Sequence, residues 1–217
     1  MPLTQPPHDC PLCPRLVAFR GEARTEHPEW YNNPVPYWGD RSPRLIIVGL
    51  APGLRGANRT GRPFTGDYAG DLLYATLRKV GLALGSYEQR PDDSLELRQT
   101  LIANAVACVP PENKPTTEEI RTCRQYLTQR LSEESPRAYL ALGRIAHDSL
   151  LVALGEKRSQ HSFGHGAEHR LKNGAVLFDS YHCSRYNTNT GVLTTEMFEN
   201  VVGRAAAYVG DRDISLR

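Results

Sequence analysis

Four short apolar runs, separated by helical patterns, constrain the fold of this chain most strongly. The runs are rich in apolar and β-branched residues and extend over residues 44–50, 100–107, 137–142 and 175–181. A continuous apolar run of this length is typical of a strand that is buried on both faces. Parallel strands need long crossover connections, which the intervening helical patterns supply. The sequence therefore predicts an α/β fold.

Helix start signals support the same class. Asp67 precedes an amphipathic segment and is expected to cap it, and Thr116 with Glu119 forms a capping box. Apolar residues at helical spacing indicate two further helices, over residues 143–154 and 193–206. Each predicted strand is thus followed by a predicted helix.

The length and composition predict one domain. A chain of 217 residues with ordinary apolar content can bury one substantial core. We expect a single domain over residues 1–217, in which residues 1–13 form an N-terminal arm. No basic start with an apolar run opens the chain, and no segment is apolar enough to span a bilayer. We therefore expect a soluble, cytoplasmic protein with no membrane partner.

Basic residues are concentrated in one part of the chain, although the net charge is only +2. Residues 41–63 hold five arginines and no acidic residue, whereas many acidic residues lie within residues 88–96 and 112–134. This distribution indicates a basic face with an acidic back. The alternative is an ordinary solvated surface, which is the commoner fate of mixed charge.

Four cysteines predict a metal centre. Cys10 and Cys13 form a close pair near the start of the chain, and Cys108 and Cys123 follow far along it. Four thiolates can hold zinc or an iron–sulfur cluster, and the wide separation of the second pair favours the larger centre. Buried apolar cysteines or a disulfide are the alternatives. We expect Cys183 to be a small buried residue outside the centre.

Two segments follow predicted strands at the edge of the sheet where open α/β proteins bind ligands. These segments are residues 49–67 and 182–191. The glycines of the first lack the spacing of a dinucleotide fingerprint, and no lysine completes a Walker loop. Small residues instead let backbone amides approach an anion or a base. The arginines available for phosphates are Arg55, Arg59 and Arg62.

These two segments and the cysteines resemble a known family. Residues 49–53, 58–67 and 182–191 are similar to the active-site motifs of family 5 uracil-DNA glycosylases, the UDGb type. The resemblance implies a three-layer α/β/α sandwich with a central four-stranded, mainly parallel sheet. It also implies hydrolysis of the N-glycosidic bond of uracil flipped out of DNA, with other deaminated bases such as hypoxanthine as further candidates. Related thermophilic families hold a 4Fe-4S cluster on four cysteines in this order, so the same cofactor is implied here.

The resemblance places a base pocket around the first motif. We expect Phe64 to stack on the flipped base, although a Phe after Pro is also a common core anchor. Asn104 lies in the second predicted strand, where its carboxamide could read the edge of uracil or bond a neighbouring loop. Gly49, Ala51 and Gly53 are expected to line the same pocket.

Two residues are candidates for catalysis. Asp67 is the carboxylate nearest the first motif, and it could orient or deprotonate the attacking water or be only a helix cap. His182 ends the fourth predicted strand and could donate a hydrogen bond to the departing base. Neither motif holds a lysine that could form a Schiff base, so we predict a monofunctional enzyme without β-elimination.

The remaining candidates are residues suited to DNA: Arg59, Arg62, Ser184, Arg185, Tyr186 and Asn187. Arginines and hydroxyls suit phosphates, and Tyr186 or Asn187 could enter the space that a flipped base leaves. Ordinary turn and cap chemistry is the alternative for residues 185–190. We expect a monomer whose partner is DNA containing uracil or another damaged base.

Two other functions fit parts of the sequence. A non-enzymatic iron–sulfur or zinc module could bind nucleic acid, but it would have no need of His182. An electron-transfer protein would need an exposed cluster and would leave the two long motifs unexplained. The effect of removing His182 therefore separates the enzyme from the binding module.

Overall fold

A central mixed sheet organises the structure, which is a computed structural model that describes residues 5–210. Residues 1–4 of the predicted N-terminal arm, and residues 211–217, lie outside the described residues. The strands in chain order are β1 (Trp38–Gly39), β2 (Leu45–Gly49), β3 (Ala83–Leu84), β4 (Glu96–Leu97), β5 (Thr100–Asn104), β6 (Ala138–Leu142), β7 (Glu168–Arg170) and β8 (Val176–Ser180).

Seven α-helices and two short 3-10 turns connect the strands within residues 5–210. The helices are α1 (Pro14–Glu26), α2 (Ala57–Thr60), α3 (Tyr68–Lys79), α4 (Thr117–Ser132), α5 (Arg144–Ala153), α6 (Arg185–Asn189) and α7 (Thr195–Gly210). The 3-10 turns are Pro111–Asn113 and Arg158–Gln160. Every helix in the described part of the chain is too short or too polar to cross a lipid bilayer.

Four parallel strands form the centre of the sheet, as predicted. β5, β2, β6 and β8 are neighbours in that order and pair in parallel. All of their residues are buried, which explains why the sequence shows continuous apolar runs rather than alternation. The short strands β1 and β7 add antiparallel edges to β5 and β8, so the sheet has six strands.

Helices cover both faces of this sheet. Side chains alternate along β2, so Leu45 and Ile47 pack against α3 and α7, whereas Ile46 and Val48 pack against α4 and α5. The predicted three-layer α/β/α sandwich is therefore confirmed.

The predicted helix starts are also confirmed. Asp67 is the N-cap of α3, and its Oδ1 atom accepts a hydrogen bond from the backbone N–H of Gly70 at 3.3 Å. Thr116 and Glu119 exchange both hydrogen bonds of a capping box at the start of α4. This start places Cys123 on the buried face of α4.

Arg62 is buried beside α3 and does not reach the surface, so the prediction that it contacts DNA is corrected. Its guanidinium pairs with the Asp93 carboxylate through two hydrogen bonds of 2.7 and 2.8 Å. The two side chains are 4% and 0% exposed. The guanidinium also lies over the rings of Trp38 and Tyr74. Asp93 therefore neutralises the charge of Arg62 inside the protein, and this charge is not available to DNA.

The ion pair keeps Asp93 charged inside the protein. Burial by itself favours the neutral acid, but hydrogen bonds from Arg62 and from the backbone N–H groups of Glu88 and Leu95 outweigh it. Together they lower the pKa of Asp93 to about 2. Removing one partner of such a pair leaves an uncompensated buried charge.

We predict that Asp93→Asn lowers the free energy of unfolding at pH 7 by about 3–5 kcal/mol, because Arg62 stays charged and buried. Folding lowers the pKa of Asp93 from 3.8 to about 2, so the pair contributes fully above the first value and is lost as the pH falls toward the second. Urea unfolding at pH 7 and at pH 3 should therefore show a smaller difference between variant and wild type at pH 3.

The control is Glu118→Gln, which breaks an exposed ion pair with Arg121. We expect it to change the free energy of unfolding by less than about 1 kcal/mol. Equal effects of the two variants at pH 7 would contradict a stabilising role for the buried pair.

Candidate active site

The carboxyl ends of the central strands meet at one edge of the sheet, and predicted site residues lie there. Gly49 ends β2 and is in register with Asn104 at the end of β5. His182 lies two residues after β8, and Gly143, which follows β6, lies close to it. A Cβ atom on Gly143 would be 3.6 Å from the Cβ of His182. Parallel strands thus bring residues from distant parts of the chain together.

Gly49 is in close contact with two predicted pocket residues. A Cβ atom on Gly49 would lie 2.5 Å from Cζ of Phe64 and 2.6 Å from Oδ1 of Asn104, which no real side chain tolerates. The Phe64 ring also stacks toward the His182 ring, with centroids 5.9 Å apart and planes at 27°. We call Gly49, Phe64, Asn104 and His182 the strand-end group.

The polar side chains of the strand-end group have no hydrogen-bond partner within residues 5–210. Neither the Asn104 carboxamide, which is 8% exposed, nor the His182 ring bonds to another described residue. Both side chains are therefore free to form hydrogen bonds with a ligand. Burial lowers the pKa of His182 to about 4, so its ring is neutral at pH 7 and carries one N–H.

Phe64 is held in a strained backbone conformation. Its φ of +51° lies in the left-handed region, which costs a residue with a side chain about 1–3 kcal/mol. The Tyr87 hydroxyl donates to the carbonyl oxygen of Phe64 at 3.2 Å and accepts from the N–H of Gly66 at 3.1 Å. A Cβ atom on Gly70 would overlap the same carbonyl oxygen. These contacts fix the Phe64 ring beside Gly49.

The two oxygens of Asp67 have different surroundings. Oδ1 caps α3, whereas Oδ2 lies against the glycine loop. A Cβ atom on Gly53 would be 3.0 Å from Oδ2, and one on Gly56 would overlap it. Burial raises the pKa of Asp67, while the hydrogen bonds of the cap act in the opposite direction. Asp67 can therefore cap α3 through Oδ1 while its Oδ2 atom faces the glycine loop.

The second motif is held by α6. Ser184 is the N-cap of α6, and its Oγ accepts from the N–H of Asn187 at 3.4 Å. The Asn187 side chain donates to the carbonyl oxygen of His182 at 2.8 Å, so it supports the strand-end group instead of projecting toward DNA. Tyr186 projects outward, and its side chain is 74% exposed.

The other two arginines predicted to contact DNA are exposed. Arg59 lies in α2, where its Nε donates to the carbonyl oxygen of Arg55 at 2.9 Å. The guanidinium of Arg185 lies 5.6 Å from the centre of the Tyr68 ring. Neither Arg59 nor Arg185 forms an ion pair within the described chain. Both charges are therefore available to a phosphate.

The four cysteines predicted to bind metal line one cavity. All are free thiols. Their cavity is lined by Cys10, Cys13, Cys108 and Cys123, together with Leu16, Val106 and Tyr126. Cys183 is buried elsewhere, with its Sγ 3.5 Å from the carbonyl oxygen of Ala69. The first four cysteines are called the cysteine group below.

The cysteine group has the chemistry that a metal cluster requires. Burial raises the pKa of Cys108 to about 11 and that of Cys123 to about 12, so thiolates here need a bound cation. Arg20 is buried beside the group, and its Nε and Nη1 atoms have no partner in the described residues. Four soft sulfur ligands fit zinc or an iron–sulfur centre. Ala51, predicted to line the base pocket, packs against this group and so joins it to the first motif.

Sequence reasoning missed a buried network beneath the second motif. In β8, Asp179 accepts hydrogen bonds from His147 Nδ1 at 2.8 Å and from His169 Nε2 at 3.0 Å. His147 Nε2 also donates to the carbonyl oxygen of His161 at 2.9 Å. Burial opposes a charge on His147, but Asp179 outweighs it and raises the pKa of the ring. The network fixes the end of β8, from which His182 projects.

Comparison with known proteins identifies the family. The profile of the uracil DNA glycosylase superfamily matches residues 36–205. A type-5 uracil-DNA glycosylase of Thermus thermophilus is 47% identical over 93% of this chain and 94% of its own length. A type-5 uracil-DNA glycosylase of Pyrobaculum aerophilum is 42% identical over 93% of this chain and 90% of its own length.

A more distant relative belongs to another type. A type-4 uracil-DNA glycosylase of Sulfurisphaera tokodaii is 30% identical over 80% of this chain and 75% of its own length. The profile match and the type-5 relatives cover most of the chain, including both motifs and the strand-end group. The chain therefore belongs to the uracil DNA glycosylase superfamily and, within it, to the type-5 uracil-DNA glycosylases.

Proposed function

We propose that this protein removes uracil from DNA by hydrolysing the N-glycosidic bond, which leaves an abasic site. The main support is the strand-end group, in which two polar side chains without hydrogen-bond partners among residues 5–210 adjoin an aromatic ring. Such a site suits a small flat ligand with hydrogen-bonding atoms at its edge. Because the stack covers the bond in a duplex, the nucleotide must first rotate out.

Base recognition falls to Phe64 and Asn104. Stacking of a base on an aromatic ring contributes about 1–3 kcal/mol. The carboxamide of Asn104 offers one donor and one acceptor, which complement an acceptor and a donor on the uracil edge. Gly49 leaves room for both side chains, because a Cβ atom there would strike each of them.

His182 stabilises the departing base. Uracil leaves as an anion, and an N–H group held in a desolvated site stabilises the charge as it develops. The lowered pKa of His182 keeps the imidazole neutral at pH 7, and the neutral ring still carries one N–H that can donate to the base. Asn187 holds the backbone of His182, and the Phe64 ring lies beside its imidazole, so the donor is positioned in advance.

We assign to Asp67 the activation of the attacking water. Its Oδ2 atom faces the glycine loop while Oδ1 serves the cap of α3. A carboxylate in this position accepts a proton from water, and its charge stabilises the oxocarbenium-like sugar. Leu50 and Ala51 offer no alternative polar side chain in the first motif. With no lysine in either motif, the proposed enzyme is monofunctional.

Exposed residues around the second motif are assigned to DNA. Arg59 and Arg185 form no ion pair with a carboxylate in the described part of the chain, and the Ser184 hydroxyl can donate to a phosphate while it caps α6. Tyr186 is the side chain that we assign to the space vacated by the flipped base.

We assign a 4Fe-4S cluster to the cysteine group. Its ligands would be Cys10, Cys13, Cys108 and Cys123, which border one cavity. When bound, the cluster would join the N-terminal arm to the segment after β5 and to α4, which restricts the unfolded chain. The four-sulfur set and the unpartnered donors of Arg20 support an anionic centre.

The proposal also covers the range of substrates, the oligomeric state and the cellular compartment. We propose that hypoxanthine is a second substrate, because the first motif lacks a polar side chain at Leu50 and Ala51 that would restrict the pocket to uracil. We also propose a monomer that acts in the reducing cytoplasm, where the cysteines stay available as metal ligands.

We predict that His182→Ala lowers kcat for uracil excision by about 10²–10³-fold, because the donor to the leaving base is lost. Matched duplexes carrying one uracil, one hypoxanthine or only normal bases are incubated with the protein and then heated in alkali, which cleaves at abasic sites. The matched control is His27→Ala at the end of α1, where the ring is 42% exposed, and it should retain wild-type activity.

Three results would count against the proposal in whole or in part. Tight binding of DNA without product from any damaged base, by folded wild-type protein with its metal, would favour a non-enzymatic nucleic-acid module. Full activity of His182→Ala would remove His182 from the reaction. Product from the uracil duplex alone would limit the substrate range and exclude hypoxanthine.

We predict that Asp67→Asn keeps the stability of the wild type but loses about 10²-fold or more in kcat, since Asn caps a helix as Asp does but accepts no proton. The pKa of Asp67 is raised above 3.8, so wild-type activity should fall with decreasing pH at a higher pH than an ordinary Asp would cause. This loss of activity at low pH should be absent from the variant. A variant with wild-type kcat would show that Asp67 is only a cap.

A further inference from the structure

Arg20 is a buried cation that the fold leaves largely unpaired. It lies in α1 and is 2% exposed. One nitrogen, Nη2, donates to the carbonyl oxygen of Cys10 at 2.8 Å. The Nε and Nη1 atoms are buried and have no hydrogen-bond partner among residues 5–210. Leaving charged donors buried and unsatisfied is costly, so a missing acceptor is expected beside them.

The other arginines of the same helix are paired. Arg15 forms an ion pair with Glu119 at 2.7 Å, and Arg24 forms one with Asp9 at 2.7 Å. Arg20 lies between them in sequence but has no carboxylate partner within the described chain. The acceptor for Arg20 is therefore not another side chain of this region.

Arg20 lies on the face of α1 that adjoins the cysteine group. Leu16, four residues earlier on the same face of the helix, packs in one buried cluster with Cys10, Cys108 and Cys123. The hydrogen bond to the carbonyl oxygen of Cys10 fixes the guanidinium beside one of the four cysteines. Arg20 thus adjoins the cysteine group at Cys10, which lines the cavity.

We propose that Arg20 is the counter-ion and hydrogen-bond donor of the cluster held by the cysteine group, and that it raises the reduction potential of that cluster. The inference rests on the cofactor assigned above. Four thiolates on an oxidised 4Fe-4S core would form a dianion, and one electron from a low-potential reductant such as dithionite would give a trianion without breaking a bond or moving a proton. A nearby cation and N–H donors stabilise the more negative state, which shifts the potential upward.

The test is a redox titration of anaerobically purified holoenzyme, followed by visible absorbance and by electron paramagnetic resonance. We expect Arg20→Gln to shift the potential to a more negative value and Arg20→Lys to give an intermediate value. The control is Arg121→Gln, which removes the same charge from a side chain that is 70% exposed on α4, the helix that carries Cys123. Equal potentials in wild type and all three variants would overturn the inference.

A second measurement does not depend on the folding of a variant. Wild-type protein labelled with ¹⁵N-arginine is reduced, and pulsed resonance of the cluster should detect hyperfine coupling to a guanidinium nitrogen. Labelled wild type without this coupling would overturn the role of Arg20. Wild type with neither iron nor acid-labile sulfide would instead overturn the assigned cofactor, so the two failures are distinguishable.

Discussion

The close packing at Gly49 is the contact on which the candidate site depends. The parallel sheet ends there, and the missing side chain lets the Phe64 ring and the Asn104 carboxamide approach the same backbone atom. Neither would fit beside a larger residue, because a methyl group would already overlap both. The same packing leaves the Phe64 ring facing His182. An aromatic ring, a carboxamide and an imidazole thus lie close together around one glycine.

The two most buried arginines near the motifs show how the fold distributes charge. Arg62 lies in the basic segment of the sequence, but Asp93 neutralises it and makes it part of the core. Arg20 has no such carboxylate within residues 5–210, and its free donors lie beside the cysteine group. A buried charge needs a partner. The pair of Arg62 with Asp93 therefore contributes to stability, whereas the unpaired donors of Arg20 support our proposal that an anionic group binds at the cysteine group.

Local signals were predictable from the sequence, and contacts between distant segments were not. The central strands show as apolar runs because both faces are buried, and the caps at Asp67 and Thr116 involve neighbouring residues. The edge strands β1 and β7 have only two and three residues, too few for a pattern. The Arg62 pair was missed because its partner lies 31 residues away. Motif resemblance, and not spacing, named the residues of the strand-end group, because Gly49, Asn104 and His182 come from segments far apart in the chain.

The central claim is that the strand-end group receives a flipped uracil. A crystal structure of Asp67→Asn bound to a duplex with one uracil would test it most directly. We predict that the base lies outside the stack, with its ring on Phe64, its edge bonded to the Asn104 carboxamide and a carbonyl oxygen bonded to His182. A complex in which the uracil stays stacked, or is held by other residues, would contradict the account.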